Sequence, residues 1–318
     1  MQKMKLIIQI PCYNEEKYLS ETLADLPRNL EGIDEIEWLV IDDGSIDKTV
    51  RVAEKNGVDH IIKHNKNKGL AAAFKTGIEY SLNSGADIIV NTDADNQYPG
   101  KYISDLINPI INKKADIVIG DRETAKIKHF SFLKKVLQKF GSWTVRKVSG
   151  TDIPDAPSGF RSYSKEAALR LNILTEYTYT LETIIQGGKK NLIMTHVPIQ
   201  TNYVGRPSRL LKSNFDYVMR SAGTIFKLFI LYEPLKFFSL CSLPFFMLGG
   251  GLWIRFVILI ILEGQLRGAY LQSVIVGGVS ILIGVLFWFI GLIGYILSKN
   301  RELIEEQLYY QKKSNINH

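Results

Sequence analysis

Through the first 120 residues, short unbroken apolar runs alternate with stretches in which apolar positions recur every three or four residues. The short runs, at 6–10, 38–41, 60–62, 88–90 and 117–119, are apolar throughout and not alternating. That is the pattern of strands covered on both faces in a parallel sheet. Helical spacing fills the intervals at 17–26, 48–56, 71–83 and 102–112. A further helix near 176–186 and a strand near 192–199 complete this part of the chain. The expected class is therefore α/β, a mostly parallel, Rossmann-like sheet with helices on both faces. Open sheets of this kind bind ligands beyond the carboxyl ends of their strands. The topology would thus gather four polar segments, 11–16, 42–45, 91–97 and 120–122, at one edge.

Further along, the pattern changes. Between residues 237 and 262 only Arg255 is charged, and between 271 and 297 nothing is. Each run exceeds the roughly 20 residues that carry a helix across a bilayer, and the short linker predicts a transmembrane hairpin. Lys and Arg crowd the flanks (Arg206, Arg209, Lys212, Arg220, Lys227 and Lys236 before, Lys299, Arg301, Lys312 and Lys313 after), whereas the linker holds only Arg267. The excess of positive charge on the cytoplasmic side then places the catalytic part and both termini there, as in a bacterial inner membrane. Arg255 is read as snorkelling to an interface. The expected divisions are 1–210 for the α/β domain, 211–236 for a juxtamembrane helix, 237–297 for the hairpin and 298–318 for a tail. That tail has two readings at 301–310: pairing with a second subunit in a homo-oligomer, or lying on its own domain.

The net charge of +7 is local, since between Arg122 and Lys147 eight basic residues face the single acid Glu123. A nucleic acid would suit such a patch, but Phe130, Phe132, Leu133, Val136, Leu137, Phe140 and Trp143 interleave with it at helical spacing. In a chain with membrane-length segments, a basic amphipathic helix at about 128–149 reads as lying on an anionic bilayer surface. The basic start before an apolar run imitates a signal peptide, yet the run ends at Pro11 with no small-residue cleavage site, and is a first strand. Cys12 and Cys241 sit in a loop and a span, which excludes a disulfide and a zinc site.

Asp93-Ala94-Asp95-Asn96-Gln97 directly follows the fourth strand. Two carboxylates and an amide oxygen at alternate positions can converge on a small hard cation, Mg²⁺ or Mn²⁺, that shares its shell with phosphates. An acidic turn after a strand is often only a solvated loop, so its neighbours decide its meaning. Asp42-Asp43-Gly44-Ser45 reads both as a ligand loop and as a turn leading into a helix. Lys68-Gly69, before an alanine-rich helix, offers backbone amides and a cation, or simply starts that helix.

Together with Pro11-Cys12-Tyr13-Asn14-Glu15-Glu16 and Ser158-Gly159-Phe160-Arg161, these motifs resemble those of inverting family-2 glycosyltransferases of the GT-A fold. Within that family the chain is most similar to polyprenyl-phosphate glycosyltransferases, the dolichyl-phosphate mannose synthases and bactoprenol glucosyltransferases. The resemblance covers roughly residues 5–210 and adds the C-terminal hairpin. It implies transfer of a hexose from a nucleotide diphosphate sugar to a polyprenyl phosphate, with Mg²⁺ or Mn²⁺ held by Asp93, Asp95 and Gln97. Asp95 and Gln97 would be the direct ligands, and Asp93 would act through water or the ribose. Pro11, Tyr13, Glu15, Ile41, Asp42, Asp43, Lys68 and Ala94 would surround the donor, and Arg122 would face its phosphates as an always-charged fork.

On the acceptor side the resemblance implies Lys134, Lys135, Ser158, Arg206 and Arg209 as phosphate contacts. Tyr203 stands where the mannose synthases carry an arginine, a departure that shifts positive charge to Arg206. Asp155 is a candidate base, or an orienting or capping carboxylate. The stretches Asp155–Arg161 and Arg206–Arg209 look most like the glucosyl branch, which makes UDP-glucose the first choice of donor, ahead of GDP-mannose and UDP-N-acetylhexosamines. A transferase that extends a lipid-linked glycan is the alternative enzyme, and a nucleotide-sugar-sensing membrane module the alternative without catalysis.

Overall fold

The runs that are apolar throughout become the middle of a seven-stranded sheet: β1 (Lys5–Cys12), β2 (Glu35–Asp42), β3 (His60–Lys63), β4 (Ile88–Asn91), β5 (Ile117–Asp121), β6 (Arg161–Ser164) and β7 (Met194–Pro198). The computed structural model describes residues 3–123, 132–173, 179–202, 223, 226–227, 229–263 and 268–316. Strand order is β3-β2-β1-β4-β6-β5-β7, and only β6 runs antiparallel to its neighbours β4 and β5. The mostly parallel sheet is as expected. β1 lies between β2 and β4, so successive connections leave it in opposite directions. The cleft at such a switch point is where an open sheet receives ligands.

Ile7, Ile8, Ile10, Leu39, Val40, Ile89, Val90 and Val118 are wholly buried at the centre. Each such side chain stabilises the domain by about 1.5–3 kcal/mol relative to exposure. Helices α1 (Leu19–Asp25), α2 (Thr49–Lys55), α3 (Leu70–Asn83) and α4 (Ile103–Ile111) follow the predicted periods. α5 (Phe132–Ser149) packs against α7 (Tyr179–Lys189). Val145 is buried while Trp143 stays exposed, and the side chains of 132–140 lie outside the described residues. The short α6 (Lys165–Arg170) had no period long enough to announce it. It is capped by Ser164, whose hydroxyl accepts the Ala167 N–H at 3.1 Å.

Residues 226–306 form a separate compact unit. Two helices, Pro234–Glu263 and Gly268–Ile316, are long and apolar enough to cross a membrane. Their apolar windows are 6% and 22% buried, so most of the hydrophobic surface faces outward, unlike core helices. They touch through small residues, as lipid-embedded helices do. A methyl on Gly249 would stand 2.7 Å from the Gly277 carbonyl oxygen, and one on Gly277 would stand 2.5 Å from the Trp253 ring. The second helix does not stop at the end of the apolar run near 297 but continues to Ile316. Its last turns belong to the α/β unit: Tyr309 donates to Glu166 at 3.2 Å, and Lys312 donates to Asn172 Oδ1 at 2.8 Å. Within this chain, residues 307–316 lie on the α/β unit. Of the stretch expected as a juxtamembrane helix, 211–236, residues 211–222, 224, 225 and 228 lie outside the described residues.

Candidate active site

Backbone geometry builds the first wall. After β1 the chain turns at Asn14, whose φ of 56° is a left-handed conformation that asparagine tolerates. The turn is tied to the loop after β2: Asn14 N–H donates to Ser45 Oγ at 2.8 Å, Glu15 N–H to Thr49 Oγ1 at 2.8 Å, and Ile46 N–H to Asn14 Oδ1 at 2.9 Å. Gly44 can be nothing else, because φ is +76° and a Cβ would lie 2.6 Å from the Lys66 backbone. This locking leaves the Tyr13 ring 40% exposed at the mouth, while Glu15, Asp42 and Asp43 are buried behind it. An exposed aromatic face beside buried carboxylates is suited to hold a base and ribose.

Asp43 is occupied within the fold. Its carboxylate accepts the Lys68 N–H at 2.9 Å, the Gly69 N–H at 2.8 Å and His64 Nδ1 at 2.7 Å. The two amides at the start of α3, expected to approach the donor, are therefore spent on Asp43, and only the exposed Lys68 side chain is left for that task. Asp42 accepts the Ser45 N–H at 3.2 Å. Ile41, the next-to-last residue of β2, is wholly buried, so any donor contact there is through its backbone. Pro11 and Ala94 are likewise buried, so any donor contact there is through backbone.

The second wall rises from β4. Buried Asn91 accepts from Gln9 at 2.9 Å and donates to the Gly159 carbonyl at 2.9 Å and the Tyr179 hydroxyl at 2.8 Å. This network seats the Ser158–Arg161 stretch beside the Asp93–Gln97 loop. A methyl on Gly159 would stand 3.1 Å from Asp93 Oδ1, so glycine is what admits the Asp93 carboxylate. The loop is pinned elsewhere by Thr22, which donates to Ala94 O at 3.0 Å, and by the turn at Asn96, where Gln97 N–H returns to Asp95 Oδ1 at 3.2 Å. Tyr98 lies beneath, stacked on Phe160 at 5.1 Å. Burial pushes its phenol up to about 12, with Arg122 opposing and Asp93 and Asp155 adding to the rise. Burial, then the Asp93 charge, pushes Tyr179 well above its ordinary value. Both phenols thus stay neutral beside the acidic loop.

Asp93, Asp95 and Gln97 are all partly exposed at this edge. Among the described residues no three His, Cys, Asp or Glu side chains gather around one point. The loop therefore offers part of a hard-oxygen shell and leaves the rest to phosphate and water, a donor set that fits Mg²⁺ or Mn²⁺.

Arg122 and Asp155 form the third wall. Arg122 donates through Nε to Asp155 Oδ2 at 2.7 Å and through Nη2 to Oδ1 at 2.8 Å, and its backbone N–H adds 3.1 Å to Oδ2. With both oxygens engaged by Arg122 and the residue buried, the geometry favours the orienting reading of Asp155 over that of a base. Two of the N–H groups of Arg122 expected to face phosphates are spent on this pair. Ser158, expected to contact an acceptor phosphate, is wholly buried, and its hydroxyl has no partner among the described residues. Arg161 is also internal, bonded to Ser158 O at 2.7 Å, Ala156 O at 2.7 Å and Thr180 O at 2.8 Å. The side chains of Lys134 and Lys135, and Arg206 and Arg209 altogether, lie outside the described residues.

Tyr98, Tyr179 and His64 carry much of this geometry and escaped the sequence reading, which included Asn91 only within the polar segment 91–97. Tyr98 directly follows the acidic motif, a signal that was present. Tyr179 and His64 had none, since their partners lie 88 and 21 positions away.

Comparisons with known proteins bear on the family and the fold. The model of Glycosyl transferase family 2 matches residues 7–171. The UDP-N-acetylglucosamine–dolichyl-phosphate N-acetylglucosaminyltransferase of Methanococcus voltae is 32% identical over 219 residues, 61% of this chain and 84% of that protein. The dolichol-phosphate mannosyltransferase of Pyrococcus furiosus is 28% identical, over 69% of this chain and 58% of its own length. Among solved structures, glucosyl-3-phosphoglycerate synthase of Mycobacterium tuberculosis, in complex with Mn²⁺, UDP and phosphoglyceric acid, superposes with TM-score 0.56. That match has 16% identity and covers 70% of this chain and 78% of that one, a likeness of fold.

Proposed function

The chain belongs to glycosyl transferase family 2 and is a glycosyltransferase; from that premise we propose that it transfers a hexose from a nucleotide diphosphate sugar to a polyprenyl phosphate, with inversion. What supports this reading is the position of the exposed Tyr13 and of Asp93 and Asp95 just past the carboxyl ends of the neighbouring strands β1 and β4, in a chain with two membrane-length helices. Relatives named for dolichyl-phosphate and dolichol-phosphate acceptors support the acceptor class. UDP-glucose is the first choice of donor, and UDP-N-acetylglucosamine and GDP-mannose are the alternatives. The catalytic part faces the cytoplasm.

In this reading Tyr13 lies against the base, and Asp42 and Glu15 stand behind it as acceptors for ribose or base donors. Asp95 and Gln97, with Asp93, would hold Mg²⁺ or Mn²⁺, whose charge supports the departing diphosphate. Arg122, fixed by Asp155, keeps a positive group at the end of β5. A phosphate monoester has its second pKa near ~6, so the acceptor is already largely ionised at neutral pH. Such a nucleophile requires positioning and no base, which agrees with an Asp155 that is engaged on both oxygens.

The test incubates membranes containing the protein with labelled nucleotide sugars and undecaprenyl phosphate, then extracts lipid. Label in the lipid fraction from one donor is expected, lost in Asp95→Ala protein that still inserts in the membrane. No labelled lipid from any donor would refute the acceptor class, and full activity of Asp95→Ala would refute the cation loop.

A further inference from the structure

Asn202 follows β7 and meets the acidic loop with two hydrogen bonds. Its backbone N–H donates to Gln97 O at 2.9 Å, and its side-chain Nδ2 donates to Asn96 O at 2.9 Å. These are consecutive carbonyls at the point where the loop reverses. Asn96 there has φ of 54°, a left-handed conformation that asparagine tolerates and that makes the reversal tight. The next amide, Gln97 N–H, points back to Asp95 Oδ1 at 3.2 Å. The turn thus fixes the relative placement of the two residues read as direct ion ligands. Beside it opens a polar cleft of about 460 Å³, lined by Glu21, Asp25, Asn96, Lys101 and Asn202. On that side Asn202 supplies two hydrogen bonds that hold the turn.

We propose that Asn202 is a positioning residue for the divalent cation: it touches no reacting atom, and sets Asp95 and Gln97 at the separation the ion requires. The proposal rests on the reading of Asp93–Gln97 as the cation loop. Partners that orient metal ligands from outside the coordination shell are worth about 10–100-fold in affinity. Two substitutions isolate the side-chain bond. Asn202→Asp keeps shape and the backbone bond but places a carboxylate, which cannot donate, against the Asn96 carbonyl. Asn202→Ala removes the group.

The experiment titrates Mn²⁺ into the detergent-purified full chain and follows free ion by electron paramagnetic resonance, alone and with UDP or GDP. Thermal unfolding confirms that each protein is folded at the temperature used. Both variants are expected to bind Mn²⁺ about tenfold more weakly, with nucleotide binding in EDTA unchanged. Unchanged Mn²⁺ affinity in folded Asn202→Asp protein would overturn the role of Asn202 alone. Absence of Mn²⁺ binding in the unsubstituted protein with either nucleotide would instead overturn the cation loop, and this proposal with it.

Discussion

The guanidinium of Arg122 grips the carboxylate of Asp155 in a fork, Nε to one oxygen at 2.7 Å and Nη2 to the other at 2.8 Å, with side chains 9% and 3% exposed. Removing one partner of such a pair strands a buried charge, which costs about 3–5 kcal/mol. Asp155→Ala is therefore expected to lower the unfolding temperature and to disorder Arg122, with activity falling as a consequence. Replacing both residues by apolar ones should recover much of the stability and none of the activity. If Asp155→Asn instead stays stable and loses only an acid limb of its pH–rate profile, Asp155 is a base after all.

Asp43 holds the start of α3 from within. Asp43→Asn turns one acceptor oxygen into a donor facing N–H groups, and each donor left unpaired costs about 1–3 kcal/mol. The expected signature is reduced thermal stability together with a raised KM for the donor, because the Lys68 loop shifts. A raised KM at unaltered stability would mean that Asp43 serves the donor directly.

Stability should depend on acid in a defined direction. Burial by itself would raise the Asp59 carboxyl, but the Trp38 N–H and the Arg28 guanidinium outweigh it and hold it below its ordinary value. Asp47 is held low in the same way, burial being outweighed by the Thr49 hydroxyl and amide and by Glu16 N–H. A depressed carboxyl stabilises the fold above its unfolded value, about 3.9, and the contribution disappears as pH falls through the lower folded value. The unfolding temperature should thus be level near neutrality and drop below about pH 4. Asp59→Asn should melt lower than the parent at pH 7, with the gap closing in acid. A gap that widens in acid would contradict this.

Tail docking is separately testable. Tyr309 meets Glu166 and lies under the Arg170 guanidinium at 5.0 Å, and Lys312 donates to Leu171 O and Asn172 Oδ1 at 3.2 and 2.8 Å. Losing the Lys312 bonds in Lys312→Met should weaken docking by about 1 kcal/mol, roughly a fivefold rise in amide hydrogen exchange at 309–316. Exchange that does not change would show that the tail is held by other contacts.

Much of the fold was legible because its signals are local. The strands at 6–10, 38–41 and 88–90 are apolar on both faces, and that alone requires a covered parallel sheet. The apolar lengths near 237–262 and 271–297 are enough to cross a bilayer, and that is read in the same direct way. The carboxyl-edge location of Tyr13, Asp42, Asp93 and Asp95 followed from strand direction. The antiparallel insertion of β6 did not, because Arg161–Ser164 is four residues long and carries no period.

What the sequence determined by itself, then, is the chemistry on offer: an acidic loop with an amide, an aromatic at the mouth, and membrane-length helices, each set by residue type and spacing. Which of those groups are available only the tertiary structure decided. Asp43, Asp155, Ser158 and Arg161 look as functional in one dimension as Asp93 does. In the fold they are buried, and three of them are spent on partners brought from elsewhere in the chain, Asp43 on His64, Asp155 on Arg122 and Arg161 on Thr180. The physical reason is that a buried charge must be paired wherever it lies, and the partner that meets this demand comes from chain crossing, which spacing does not encode.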